Sequence, residues 1–93
     1  MENKISEEKI KKYFRLTETA LEIVKQNINK KKKKEAEEII NMASNYLSDA
    51  SHFYKKGDVV NSFAALNYSH GWIDCGARLR IFIVSDNNLF TVP

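Results

Sequence analysis

Four polar side chains, Asn67, His70, Asp74 and Arg78, recur in steps of three, four and four, a spacing that sets them along one ridge of an α-helix. Asp74 lies one turn from both a histidine and an arginine, so an acid stands between two donor or cationic groups. Such a ridge could clamp a phosphate or carboxylate. It could also be a hydrogen-bonded seam between helices, in which Arg78 and Asp74 satisfy each other and Asn67 or His70 bonds a neighbour. Charges near a core must be paired whether or not they do chemistry. No nucleophile with an adjacent base accompanies the ridge, so the structural role is expected and catalysis is not.

The chain holds two histidines, His52 and His70, and one cysteine, Cys75, short of any zinc-ligand spacing. No metal or other cofactor is expected. Cys75 has Asp74 beside it and no histidine one turn away, so its thiol is expected to be a small core side chain rather than a reactive group. A lone cysteine cannot close an internal disulfide, and no charged and then apolar leader opens the chain. A reducing cytoplasm is the expected home.

The run Lys30, Lys31, Lys32, Lys33 and Lys34 could contact phosphates, because clustered lysine supplies the sequence-independent part of nucleic-acid affinity. Residues 1–34 carry eleven Lys/Arg against five Asp/Glu, yet the whole chain is only +3. Without the five lysines it would be −2, so the isoelectric point near 9.0 reports one local block. No stacking platform or recognition-helix pattern accompanies the run, which reads first as a solvated turn.

Three glycines and one proline, the latter at the last position, leave little punctuation for strands, and an all-α chain follows. Ninety-three residues hold one domain, 1–93, with one modest core. Ser6 can cap a helix with Glu7 and Glu8 in its first turn and an Ile5–Ile10 staple. Ile10, Tyr13, Phe14, Thr17, Ala20, Leu21, Val24 and Ile28 then form one face, predicting a helix over about 7–29. Ala36, Ile39, Ile40, Ala43, Tyr46, Leu47, Ala50, Phe53 and Tyr54 form the buried face of a second, about 35–56. Gly57 suits a helix C-terminus and Asp58 the next N-cap, so a tight turn leads to an antiparallel third helix, about 59–84. The tail, 85–93, begins with the polar turn Ser85 to Asn88. The apolar run Ile81 to Val84 is far too short to cross a bilayer.

The third helix is apolar on two sides. Val59, Phe63, Leu66, His70, Ile73, Ala77, Ile81 and Val84 make one stripe. Ala65, Tyr68, Trp72, Leu79 and Ile83 make another, with Cys75 and Gly76 at its margins. Two partner helices cannot cover both stripes, so either the tail residues Leu89, Phe90, Thr91 and Val92 or another subunit must lie over Trp72 and Leu79. Gly71 and Gly76 each cost helix stability, and close helix approach is the expected compensation.

The segment Asp49-Ala50, Phe53, Gly57-Asp58, the stretch from Ala64 to Leu79, and the terminal Leu89-Phe90-Thr91-Val92 resemble the archaeal domain-of-unknown-function family 357 over about half of the chain. The resemblance implies a small up-and-down three-helix bundle of archaeal cytoplasm and no assigned activity. Ser62, Ser69 and Cys75 stand where that family is expected to carry small apolar residues, mostly alanine. The passage Tyr46 through Tyr68 is also similar to the helix-turn-helix unit of tetratricopeptide repeats, which bind other proteins. The alanine-rich third helix is similar to HEPN-type ribonuclease bundles, but their Arg-then-His order is absent, since Arg78 and Arg80 follow His70.

The expected fold is therefore a single up-and-down three-helix bundle with a short C-terminal tail packed on it. The expected role is a non-enzymatic interaction or oligomerisation module, using Tyr68, Trp72, Leu79 and Ile83 against a protein partner or an identical subunit. The alternative is a nucleic-acid accessory domain using Lys30–Lys34 with Arg15.

Overall fold

A computed structural model describes residues 6–90. The Ile5 half of the proposed staple and the tail residues Thr91, Val92 and Pro93 lie outside the described residues. The chain forms α1 (Glu7–Lys25), a single 3-10 turn (Lys30–Lys32), α2 (Lys33–Lys55) and α3 (Val59–Arg78). The Tyr54 hydroxyl at the end of α2 reaches the Glu7 carboxylate at the start of α1, so these two helices run antiparallel. Tyr13 meets Phe63 edge to face and Thr17 meets His70, so α1 and α3 run parallel. The arrangement is an all-α, up-and-down three-helix bundle.

The starts of α1 and α3 are capped as the sequence requires. Ser6 Oγ accepts from Lys9 N at 3.1 Å, and Asp58 Oδ1 accepts from Asn61 N at 3.1 Å, which satisfies amide groups with no partner inside the helix. Gly57 has φ +79°. Its N–H donates to Tyr54 O and that of Asp58 to Phe53 O, the paired bonds of a Schellman turn.

The tightest packing joins α2 to α3. Ala36, Ala43 and Ala50 recur every seven residues on α2, and Ser62, Ser69 and Gly76 do so on α3. All six are buried. The Ser62 hydroxyl donates to Ala50 O and the Ser69 hydroxyl to Ala43 O, both at 2.7 Å. The same antiparallel register sets Gly76 opposite Ala36. A repeat of seven on both helices suits a shallow crossing of about 20°, and small side chains allow the short end of the ~8–10 Å range of axial separations.

Two predicted boundaries change. The helix expected over 7–29 ends at Lys25, because Asn27 Nδ2 takes the Ile23 carbonyl at 2.7 Å and residues 27–29 pair instead with residues 81–83. Asn29 N donates to Ile81 O and Ile83 N to Asn27 O, forming an antiparallel bridge between Ile28 and Phe82. The helix expected over 59–84 stops at Arg78. Arg80 takes the left-handed conformation, φ +58°, its N–H donates to Ala77 O, and Ile81 N–H donates to Gly76 O. This is a second Schellman turn, with arginine where glycine is usual.

The reversal drops Phe82 onto the bare backbone of Gly76. A Cβ at Gly76 would lie 2.6 Å from Phe82 Cδ2 and 3.3 Å from Ile39 Cδ1. Close approach thus explains Gly76, although its nearest neighbour is the chain after the helix. Gly71 is different: a Cβ there meets nothing within 4 Å, so the expected close helix approach is absent at that position.

Phe82 joins Leu21, Val24, Ile39, Ile73, Ile81 and Phe90 in the main core, and Ile10, Ala50, Ala65 and Leu66 make a second cluster toward the Gly57 end. The tail turn is closed by Asn88 N donating to Asp86 Oδ1 and Phe90 N to Asp86 O.

Two expectations follow. Gly76→Ala is expected to cost about 1–3 kcal/mol in chemical denaturation by displacing Phe82, whereas Gly71→Ala gains about 1 kcal/mol of helix propensity. Arg80→Gly is expected to stabilise by roughly 0.5–1 kcal/mol, because left-handed backbone costs an L-residue about 1–2 kcal/mol and glycine's unfolded-state freedom offsets part of the relief.

Candidate interaction surface

The polar ridge of α3 serves the fold at its centre. His70 is partly buried, with Nε2 2.8 Å from Leu89 O and Nδ1 3.2 Å from Thr17 Oγ1. A carbonyl only accepts, so Nε2–H donates to Leu89 O, and Nδ1 shares a hydrogen bond with the Thr17 hydroxyl. Thr17 is itself buried, and this bond satisfies its hydroxyl. The Asp74 carboxylate stands 3.8 Å from Nε2. Asn67 and Arg78 are exposed. With both ring nitrogens engaged by the protein, His70 fastens the C-terminal turn to α1 and α3.

The second stripe divides. Ala65 is buried, while Tyr68 (63%), Trp72 (37%) and Leu79 (55%) remain open to solvent. Among the described tail residues none covers them: Phe90 turns into the main core and Leu89 packs against it. Ile83 is also exposed, at 56%, but the reversal at Arg80 takes it off the helical stripe to a hollow beside Ile23, Asn27 and Val84. Val60 is a further exposed apolar side chain, at 67%, outside the predicted stripe.

Trp72 separates two hollows. One, of about 390 Å³, is bordered by Tyr46, Tyr68, Gly71 and Cys75, with the Tyr46 and Tyr68 rings stacked 5.3 Å apart at 21°. The other, of about 520 Å³, lies toward α2 against Ile39, Met42, Glu35 and Glu38. Cys75 is exposed, correcting its expected place in the core. The buried small position is Gly76, one residue and about 100° further around the helix.

The lysine run makes the 3-10 turn and the first residues of α2. Lys30, Lys31, Lys33 and Lys34 are exposed. Lys32 is half-buried, and its Nζ donates to Leu79 O at 3.3 Å, placing a cation at the negative end of α3. Arg15 does not belong to this surface. It borders a cleft with Ser51, Tyr54 and Lys55, at the far end of α2 from Lys33. Twenty-three helical residues span about 35 Å at ~1.5 Å each.

Among the described residues no group of three or more His, Cys, Asp and Glu side chains could hold a metal ion, and no helix is long and apolar enough to cross a membrane. His70→Ala is expected to cost about 1–3 kcal/mol, chiefly by stranding the buried Thr17 hydroxyl. It should also raise hydrogen exchange and proteolysis around Leu89 and Phe90; unchanged protection there would contradict the fastening role.

No curated protein and no solved structure matches the chain. A family model described as "Protein of unknown function (DUF357)" matches residues 12–82, from the first turns of α1 through the Phe82 bridge, a span that holds the main core apart from Phe90. The chain therefore belongs to the DUF357 family.

Proposed function

We propose that the protein is a non-enzymatic interaction module that buries the outer face of α3, centred on Tyr68, Trp72 and Leu79, against a protein partner, an identical subunit included. The observation that supports this reading is the indole of Trp72, left partly open between two hollows while the described tail residues Leu89 and Phe90 pack on the main core. Anchors of this kind often contribute ~2 kcal/mol or more each in an interface. The alternating apolar floor and acidic rim of Glu35 and Glu38 resemble the core and rim of a recognition surface. Gly71, with open space over its Cα, leaves bare helix backbone beside the indole for a partner to approach. A reducing cytoplasm suits the exposed thiol of Cys75 on the same face.

The alternative, a nucleic-acid accessory domain, draws on the four exposed lysines of the turn. Arg15, at the other end of the bundle, no longer contributes to it. Salt-steep binding to mixed RNA, lost when all five lysines become Gln, would favour that reading.

The interaction reading is tested with the double variant Trp72→Glu, Leu79→Glu, whose substitutions lie on exposed positions and should leave the fold intact by circular dichroism. Wild type is expected either to self-associate with concentration in light scattering or to retain a defined protein from its native host. The double variant should do neither. Equal behaviour of the two proteins would contradict the proposal.

A further inference from the structure

A second surface, away from Trp72, combines apolar and basic character. On α1, Phe14 lies between Lys11 and Arg15; on α2, Tyr54 lies between Ser51 and Lys55. Because the helices are antiparallel, these sets face each other across a cleft of about 320 Å³. Its floor is the half-buried pair Phe14 and Tyr54, edge to face with centroids 5.7 Å apart. Three cations surround the rings. Among the described residues the Lys/Arg–carboxylate ion pair is Lys25–Glu22, so no carboxylate among those residues lies within salt-bridge distance of Lys11, Arg15 or Lys55. The one acid engaged at the rim is Glu7, which accepts the Tyr54 hydroxyl.

We propose that this cleft between α1 and α2 docks an acidic peptide segment of a protein partner, seating one aliphatic or aromatic side chain on Phe14 and Tyr54 and placing flanking carboxylates on Lys11, Arg15 and Lys55. Charge complementarity selects the occupant: an apolar floor ringed by unpaired cations favours an anion with an apolar body. Shape selects a peptide. The cleft is shallow and open along the seam, whereas a small-molecule site buries roughly 70–90% of its ligand. A single Leu or Phe fits the floor, and neighbouring peptide residues extend the contact along both helices. This surface is separate from the Trp72 face and stands whether or not that face is covered.

The test is fluorescence anisotropy on the full chain with a dye-labelled peptide of Asp and Glu around a central Leu. Its partners are a peptide with the acids changed to Asn and Gln, and one with the Leu changed to Gly. The acidic Leu peptide is expected to bind and both relatives to bind weakly. The triple variant Lys11→Gln, Arg15→Gln, Lys55→Gln should lose roughly tenfold or more in affinity. Changing Lys30–Lys34 to Gln should alter it by less than roughly threefold, as remote exposed charges do. The proposal is overturned if the acidic peptide does not bind, if the Gly peptide binds equally well, or if the lysine-run variant abolishes binding while the triple variant does not. Tighter binding of a single-stranded oligonucleotide through the same three cations would also overturn it, by assigning the cleft to phosphate.

Discussion

The rest of the molecule depends on how closely α2 and α3 approach. Ala36, Ala43 and Ala50 meet Ser62, Ser69 and Gly76 in antiparallel register, all six buried, and small side chains let the two helices approach closely. A hydroxyl buried without a partner would be costly. Ser62 and Ser69 avoid that cost by donating to the carbonyls of Ala50 and Ala43, whose second lone pairs are free within a helix. The two bonds also fix the axial register, since a slide of one residue would strand both hydroxyls. With Ser69 and Ile73 turned inward, helical geometry turns Tyr68 and Trp72 toward the outer margin. The exposed face follows from the seam.

At the opposite end of α3 the same use of small residues continues in another form. Gly76 leaves a notch, the reversal at Arg80 returns the chain, and Phe82 fills the notch. The bridge from Phe82 to Ile28 holds the end of α1, and His70 holds the tail through Leu89 O. Of the described apolar residues beyond α3, Ile81, Phe82 and Phe90 close the main core and Leu89 packs against it, away from Trp72.

Much of this was legible in residue types. Ser6, Gly57 and Asp58 signal their caps through local chemistry that needs no tertiary partner, and the apolar faces of α1 and α2 follow from periodicity alone. The end of α3 was not legible, because an arginine occupies the left-handed position that glycine would have announced, and the strand-like pairing of residues 27–29 with 81–83 is held by distant backbone. Ile83 was misplaced for that reason, its helical phase having been continued past Arg78. Cys75 was misplaced by one step of rotation beside Gly76. The role of His70 as a fastener could not be read, since one of its partners is a main-chain carbonyl. The seam did leave a signal: the seven-residue recurrence of small residues on both α2 and α3, in which Ser62 and Ser69 occupy alanine-like positions.

The seam and the return of the chain leave the rings of Tyr68 and Trp72 open among the described residues. Acrylamide quenching of the sole tryptophan in the dilute, isolated chain measures this directly. A red-leaning emission with ready quenching is the outcome required by an open Trp72. A fully blue-shifted, unquenched indole in a strict monomer would mean that the chain's own residues already enclose it, and no outside body would be needed.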